Sequence, residues 1–490
     1  MERESPRLFS RRLRSGVGSE VCELMRASRV LLLSATETWE RFTYYGMRAL
    51  LVLFLVAPPE HGGIGFADQD AAAIYGLFVA AVYLSALPGG WIADQIVGPV
   101  LAVWIGGAFI LAGNILLGLT RQFIPFAIGL GAIAVGVGLL KPSVTTLVGR
   151  TAKEDGQPVD AVFTTFYIGI NIGAILGPLI SAALATRFGW HVGFLAAAVG
   201  MVLGLFAFAT IVSRLPKLQV KRTVSSLHVT IAFAAGVIAV ITLVSAVRPA
   251  QLVRLMFLVV LLASIWAFIM LFRAASDESE TRNVRTLVAL FCGGTVFFAA
   301  AEQSGASLTL FAERFTDRVL LGHAFPSAWY QSLYPFCVVA LAPFFVWLWK
   351  SLESRQLEPA IIQKFAGGLA FGAIGIGTAA VAAATCTRGM ADSRWLIGTY
   401  LLLAIGELMI SPIGLAAAAR LSPASRSGFA TGLWFLTVSL GGLIAGLTGG
   451  YFDLGSAAGL STTFGSVAAV LAGTCLGLLA VDQLWRRRSM

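Results

Sequence analysis

Charged side chains recur along an otherwise apolar stretch, Leu31 to Val56, that is long enough to cross a bilayer. An ionised group near the middle of a membrane helix costs roughly 2.5 to 3.5 kcal/mol on insertion scales, so a cluster of such groups requires a function. At about 100° per residue, five polar residues fall within one helical face of about 100° of arc. They are Glu37, Glu40, Arg41, Tyr44 and Arg48. A face with both signs of charge and a phenol hydroxyl suits a wet cavity that binds a charged solute and carries a proton, as in a transporter.

Three further ionisable residues, Lys141, Glu302 and Glu407, lie in other apolar stretches, which makes four acids and three bases in all. Left unpaired, the seven would cost about 20 kcal/mol, more than the stability of a typical domain, so they must pair or face water. Three ion pairs would use all three bases and leave one of the four carboxylates unpaired. In a low-dielectric cavity such a carboxylate can take up a proton near neutral pH. The alternative is a purely structural network of ion pairs, although packed apolar residues would serve stability as well.

The whole chain has the composition of a polytopic membrane protein. Of its 490 residues 57% are hydrophobic and 12% charged, and the mean hydropathy is +0.83, far too apolar for an ordinary soluble domain. Apolar runs of about 20 residues between polar breaks predict membrane spans. The fourteen predicted spans lie near residues 31–57, 71–93, 98–120, 123–148, 161–187, 190–213, 226–247, 252–273, 284–310, 328–350, 361–385, 394–419, 427–451 and 461–484.

The distribution of Lys and Arg predicts the orientation of these spans. Most of the 35 basic residues fall on the side of the membrane that holds both termini, and positively charged segments stay in the cytoplasm. We therefore expect a multi-pass protein of the cytoplasmic (inner) membrane with both termini in the cytoplasm. The formal charge of +10 indicates contact with anionic membrane lipid and not with nucleic acid. The first 30 residues lack the pattern of a cleaved signal peptide.

The cysteines and histidines indicate neither a metal site nor a cofactor site. The five cysteines are scattered singly, without a CxxC pair, and the four histidines fall at span edges or in loops. No predicted span offers the nucleophile and base that a membrane-embedded enzyme needs. We therefore expect no enzyme activity, no cofactor and no metal, and any proton coupling must use carboxylates.

The predicted spans divide into two equal groups around an insertion. A basic linker follows the sixth span, and two featureless apolar spans and a charged linker come next. Removing this segment leaves six spans on each side. The predicted domains are a basic N-terminal segment at 1–30, a six-helix bundle at 31–213, a linker with two inserted helices at 214–283, a second six-helix bundle at 284–485 and a basic tail at 486–490.

Each six-span group carries one ladder of glycines at four-residue spacing, which lets helices approach closely. The two ladders occupy corresponding places and indicate an internal repeat. They consist of Gly169, Gly173 and Gly177 in the first group and of Gly442, Gly446 and Gly450 in the second.

Two motifs resemble the signatures of a known family. ETWERFTYYG, which begins at Glu37, resembles the ExxERFxYYG signature of the proton-coupled oligopeptide transporter family, and FYIGINIG, which contains Asn171, resembles its second signature, FYxxINxG. The resemblance continues through IYGLFVAAVYLSALPGGWIAD, GLLKPSVTTLVG, AEQSG and GELMISPIGL and covers nearly the whole chain. It implies an all-α membrane protein of the major facilitator fold, with two six-helix bundles and two inserted helices between them.

The same resemblance implies a binding site for the two charged ends of a short peptide. Arg41 and Lys141 would face the peptide carboxylate, while Asn171 and Glu407 would take its α-ammonium. A short peptide is a zwitterion, so its site needs cations at one end and an anion at the other. For Asn171, a role in holding two helices together is the alternative. The side-chain pockets would be lined by Tyr44, Tyr45, Tyr83 and Trp434.

Proton coupling and gating are implied by the resemblance as well. Arg48 would pair with Glu302 as one gate closes, and Lys141 would pair with Glu407 as the gate on the other side closes. The residues assigned to coupling and gating are Glu37, Glu40, Arg41, Arg48, Lys141, Glu302 and Glu407.

One motif departs from the family pattern. Where the family usually has SLNP, this chain has Ser332-Leu333-Tyr334-Pro335. The missing asparagine would help to hold the substrate amine, so we expect weaker amine recognition. Tyr334 is also larger, which predicts a narrower range of substrates.

The function that the sequence predicts is a proton-driven symporter that imports di- and tripeptides by alternating access. We expect a monomer with protons as its coupling ion. The alternative is a major facilitator transporter of another small anion or zwitterion, such as nitrate, an amino acid or a peptide-like drug. A substrate competition panel separates the two.

Overall fold

The computed structural model describes residues 6–215, 247–320, 322–386, 389–423 and 426–489. Over these residues the chain forms fourteen α-helices and four strands of two residues each. The helices are α1 (Pro6–Val56), α2 (Asp68–Ile92), α3 (Pro99–Leu119), α4 (Phe123–Glu154), α5 (Val159–Phe188), α6 (Trp190–Ile211), α7 (Pro249–Ala274), α8 (Glu278–Ala301), α9 (Ser307–Phe315), α10 (Tyr330–Ser354), α11 (Ile361–Thr385), α12 (Ser393–Leu421), α13 (Ser427–Thr448) and α14 (Ala457–Ser489). The strands are β1 (Thr316–Asp317), β2 (Val319–Leu320), β3 (His323–Ala324) and β4 (Ala391–Asp392).

Twelve segments among the described residues are long and apolar enough to cross a membrane, which makes this a multi-pass membrane protein. One of them combines α8 and α9. The first helix is not among the twelve, because Glu40, Arg41 and Arg48 interrupt its apolar half. The predicted span at 226–247 falls, apart from its last residue, outside the described residues.

Close packing of α1 against α5 and α6 organises the first bundle. The glycine ladder of α5 makes this approach possible, because a Cβ atom on Gly177 would lie 2.5 Å from the carbonyl oxygen of Phe42 and 2.8 Å from the nitrogen of Gly46. The ladder therefore serves close helix packing, as the spacing predicted. The same packing holds the polar face of α1 at the inner side of its bundle.

The second glycine ladder packs across the seam between the two bundles. A Cβ atom on Gly76 of α2 would lie 2.6 Å from the carbonyl oxygen of Gly442 and 2.9 Å from the Cα atom of Gly446, both in α13. A second contact across the seam joins α5 to α10, and α7, the described member of the inserted pair, packs against α2 and α13. The domain boundaries stay predictions.

The predicted span at 284–310 lies within one membrane-crossing segment, Glu278–Phe315, but this segment is not a continuous helix. Helix α8 ends at Ala301, a 3₁₀ turn covers Glu302–Gly305, and α9 begins at Ser307. The polar run at this point supplies hydrogen bonds that replace those of the helix: the Ser307 hydroxyl donates to Oε1 of Gln303 at 2.5 Å. Polar side chains that bond to their own backbone and neighbours compete with helical hydrogen bonding, which explains the interruption.

Several polar contacts between the bundles lie at the end of the molecule where α1 finishes, which we call the Val56 end. The guanidinium of Arg314 forms a two-pronged ion pair with Asp68, at 2.6 and 2.7 Å. The indole nitrogen of Trp329 donates to the carbonyl oxygen of Leu179 at 3.0 Å. The short strands lie at this end too, β1 parallel to β4 and β2 antiparallel to β3. The bundles are therefore joined at the Val56 end.

Candidate functional site

The polar face of α1 contains a buried cluster of opposite charges. Glu37 and Glu40 are fully buried, and Arg41 is 3% exposed. The guanidinium of Arg41 donates to both carboxylate oxygens of Glu40, from Nε at 2.5 Å and from Nη2 at 2.8 Å. Oε1 of Glu37 lies 3.4 Å from Nε of the same arginine. One cation therefore neutralises two carboxylates in this cluster.

Helix α5 positions this cluster. A Cβ atom on Gly173 would come within 2.8 Å of the backbone nitrogen of Phe42 and within 2.9 Å of the Cβ atom of Arg41, so the two helices touch at the charged residues. The Thr43 hydroxyl, on the same turn, also bonds to the carbonyl oxygen of Ala197 in α6 at 2.8 Å. The cluster is thus held rigidly by backbone contacts from two neighbouring helices.

A second ion pair joins the two bundles. Nη2 of Arg48 in α1 lies 2.8 Å from Oε2 of Glu302, and these residues are 254 positions apart in the chain. The same nitrogen also donates to the Ser304 hydroxyl at 3.3 Å. Arg48 comes seven residues after Arg41, which places it about 10 Å nearer to the Val56 end at about 1.5 Å per residue. This pair therefore closes the space between the bundles on the Val56 side of the α1 cluster.

Tyr75 completes this closure, although no role was predicted for it from the sequence. Its hydroxyl donates to Oε2 of Glu302 at 2.6 Å and accepts from Nε of Arg48 at 2.7 Å. The ring is fully buried, and its centroid lies 5.4 Å from the guanidinium carbon of Arg48. The one available signal was its place in the family-like run IYGLFVAAVY. We call Arg48, Tyr75 and Glu302 the gate triad.

A cavity of about 170 Å³ lies between the bundles beside the gate triad. Its wall includes the carboxylate of Glu407 and side chains from both bundles. Four tyrosines line it: Tyr45, Tyr83, Tyr167 and Tyr334. Tyr167 is also 45% exposed, so one residue of the cavity wall also lies at the surface of the described structure. Two acidic residues line the cavity, and Glu302 is paired with Arg48. Aromatic walls with one carboxylate outside an ion pair suit a ligand that carries a positive charge and apolar parts.

Lys141 and Glu407 are the two charged residues of the predicted site without an ion-pair partner within the part of the chain that the structure describes. Nζ of Lys141 lies 6.0 Å from the centroid of Tyr83, which lines the cavity together with Glu407. An unpaired charge at membrane depth is costly, so both groups are suited to a ligand that supplies the missing partner. A zwitterion supplies both an anion for Lys141 and a cation for Glu407.

The structure brings most of the predicted residues to one region but not all to the cavity wall. Tyr44 is 3% exposed and stacks on Phe78, and Trp434 is 6% exposed, with its ring against Gly414 and Gly294 of its own bundle. Neither lines this cavity, and Glu37, Glu40, Arg41 and Lys141 do not line it either. The predicted residues that do line it are Tyr45, Arg48, Tyr83, Asn171, Glu302, Tyr334 and Glu407.

Asn171 was predicted either to contact the ligand or to hold two helices together, and the structure contains a contact relevant to each role. Its Nδ2 donates to the carbonyl oxygen of Tyr167 in the preceding turn at 2.9 Å, which is a local structural contact. The residue also lines the cavity. Tyr167 was not predicted to belong to the site, although it lies in the family-like run FYIGINIG.

Comparison with known proteins agrees with this geometry. The peptide transporter YePEPT of Yersinia enterocolitica subsp. palearctica is 36% identical over 473 residues, which cover 91% of this chain and 92% of that protein. The di-/tripeptide transporter of Lactococcus lactis subsp. cremoris is 32% identical over 433 residues, with 84% and 86% covered. A solved structure of a mutant peptide transporter POT in complex with alafosfalin matches with a TM-score of 0.85 and 33% identity, over 93% of this chain and 94% of that one.

The family profile described as the POT family matches residues 100–463, well over half of the chain. The structural match also shows that the two bundles have the major facilitator fold. The resemblance read from the two motifs is therefore confirmed, and the chain belongs to the POT family of transporters.

Proposed function

We propose that this chain is a proton-driven symporter that imports di- and tripeptides by alternating access. The observation that carries the proposal is the pair of unpartnered charges, Lys141 and Glu407, that approach one tyrosine-lined cavity. The relatives named above as peptide and di-/tripeptide transporters support the same substrate class. A peptide zwitterion matches a site with a free cation and a free anion.

The binding roles follow from this arrangement. The substrate carboxylate meets Lys141 and Arg41, whose Nη1 makes no hydrogen bond among the described residues. The α-ammonium meets Glu407, with Asn171 beside it in the cavity wall. Tyr45 and Tyr83 form walls for the substrate side chains. Tyr44 and Trp434 stay predictions for such walls, and reaching the cavity would require movement of their helices.

Gating follows from the two ion pairs named by the family resemblance. The Arg48–Glu302 pair is formed in this structure, and a Lys141–Glu407 pair is not formed among the described residues. In alternating access the two pairs form in turn. Binding of substrate or a proton by Glu407 and Glu302 changes which pair is favourable, because a carboxylate that is neutralised no longer attracts its cation. Glu37 and Glu40 supply further carboxylates for coupling beside Arg41.

The protein would lie in the cytoplasmic membrane with both termini in the cytoplasm. The Val56 end then faces outward, and this structure is closed to the outside. Apolar side chains that are more than half exposed on α7, such as Leu258 and Leu262, meet the lipid. We expect a monomer to be the functional unit.

Uptake of labelled dialanine into liposomes that contain the purified protein tests the proposal. With an imposed proton gradient, acidic outside, dialanine should accumulate above its external concentration, because proton entry drives peptide entry. Without the gradient it should only equilibrate. Absent uptake, or accumulation that is the same with and without the gradient, would count against proton-driven peptide symport.

Replacing Tyr75 by phenylalanine tests the gate triad. The change removes a donor to Glu302 and an acceptor for Arg48, and hydrogen bonds to charged groups contribute about 1.5 to 3 kcal/mol each. Arg48 and Glu302 stay paired directly, so we expect the closed state at the Val56 end to lose about 2 kcal/mol of stability, less than two such bonds together, and dialanine uptake to fall about tenfold. Initial rates of uptake measure the effect.

Tyr400→Phe is the matched control for this change. Tyr400 is also fully buried, and its hydroxyl makes only a long bond of 3.5 Å to the carbonyl oxygen of Ser304. Its replacement should reduce uptake no more than about threefold. Equal losses in both variants would show that the hydroxyl of Tyr75 has no special role.

A further inference from the structure

Tyr334 occupies a fixed position in the wall of the cavity. The start of α10 is tied to the other bundle by the Ser332 hydroxyl, which donates to the carbonyl oxygen of Ile175 at 2.8 Å. The neighbouring Gln331 side chain donates to the hydroxyl of Thr309 at 3.0 Å. The ring of Tyr334 packs against the buried cluster that includes Val338 and Leu408. Its placement is therefore set by its surroundings rather than by a flexible loop.

The side chain of Tyr334 takes up room in the cavity beside Glu407. Tyr334 and Glu407 line the same cavity of about 170 Å³ and interact directly. A tyrosine side chain has four more heavy atoms than the asparagine of the SLNP pattern. Four heavy atoms, N, Cα, C and O, are also the backbone of one added peptide residue. In a closely packed site the extra atoms of Tyr334 and a third peptide residue cannot both be accommodated, because overpacking costs free energy.

The hydroxyl of Tyr334 is buried beside the Glu407 carboxylate, to which its O–H can donate. No group among the described residues donates to the phenol oxygen. A buried phenol oxygen to which nothing donates favours a ligand group that donates to it. An ammonium has three N–H donors, so it can donate to Glu407 and to this hydroxyl at once.

We propose that Tyr334 selects dipeptides over tripeptides, by filling the room of a third residue, and that its hydroxyl is a second acceptor for the substrate ammonium. This inference rests on the proposed function and narrows its substrate class. It also revises the expectation that loss of the SLNP asparagine weakens amine recognition. The Tyr334 hydroxyl replaces the lost acceptor, and the larger ring reduces the room beside it.

Two substitutions separate the two parts of the proposal. Tyr334→Asn removes both volume and phenol, and Tyr334→Phe removes only the hydroxyl. The measurement is kcat/KM for labelled dialanine and trialanine in liposomes under a proton gradient. The unmodified protein should prefer dialanine by about tenfold or more, and Tyr334→Asn should bring the ratio to within about threefold. Tyr334→Phe should keep the ratio and raise KM for dialanine about three- to tenfold.

Val346→Ala is the control. Val346 lies on the same helix, α10, but is 55% exposed and does not line the cavity. The ratio of the two peptides should stay as in the unmodified protein. A ratio that Tyr334→Asn leaves unchanged while dialanine is still carried overturns the length selection alone. An unchanged KM in Tyr334→Phe overturns the role of the hydroxyl. If the unmodified protein carries no dialanine, the proposed function fails and this inference fails with it.

Discussion

Glu40→Gln should abolish accumulation of dialanine against a gradient while leaving exchange of dialanine across the membrane in place. Glu40 is fully buried, and both of its oxygens accept from Arg41. Glutamine keeps the shape of the side chain but cannot take up or release a proton, so peptide movement loses its driving force. Exchange needs only binding and alternating access, which the amide permits. Liposomes preloaded with unlabelled dialanine measure exchange, and an imposed proton gradient measures accumulation.

Glu60→Gln is the control for this change. Glu60 lies exposed in the turn Pro59–His61 and belongs to neither the cluster nor the gate triad. Its replacement should leave both exchange and accumulation unchanged. If accumulation survives in Glu40→Gln, Glu40 is not the coupling group, and Glu37 becomes the next carboxylate to test.

Arg48→Ala should hold the protein open at the Val56 end and reduce uptake more than about tenfold. The change removes the contacts to Glu302, Tyr75 and Ser304 at once. Removing one partner of a buried ion pair typically costs about 3 to 5 kcal/mol, because the other charge stays buried. A loss of about 3 kcal/mol shifts the balance of the open and closed states by about 100-fold.

Accessibility of a cysteine placed in the cavity measures this shift. Ala301 lines the cavity next to Glu302, and Ala301→Cys in a protein without its native cysteines can be labelled with a membrane-impermeant thiol reagent. Labelling from the Val56 side should be much faster with Arg48→Ala. Arg121→Ala is the control, since Arg121 is exposed and bonds to His191 within the first bundle. Equal labelling rates with and without Arg48 would contradict a gate at this pair.

The local architecture was largely predictable, because the period of a helix and the thickness of a bilayer leave few choices. The predicted span at 361–385 matches α11 residue for residue, and the glycine ladder of α5 lies against α1. The family resemblance, rather than periodicity, led to the contact between Arg48 and Glu302. No local pattern relates residues that far apart in the chain.

Three features of the structure could not be predicted from the sequence. Helix α1 begins at Pro6 instead of Leu31, because hydropathy marks the part that can cross the bilayer and not where a helix begins. At the break between α8 and α9, one of the hydrogen bonds is tertiary, from Nε2 of Gln303 to the hydroxyl of Thr448, and no local pattern predicts it. Tyr75 reads as an ordinary aromatic residue until its hydroxyl is seen between Arg48 and Glu302.

The central claim is that one chamber within the membrane binds a peptide zwitterion and a proton together. Its most direct test is the pH inside liposomes that carry the protein, followed with a trapped pH-sensitive dye at equal pH on both sides. Adding dialanine outside should acidify the interior as labelled dialanine enters, and Glu40→Gln should abolish the acidification. Entry of labelled dialanine with a constant interior pH in the unmodified protein would contradict the account.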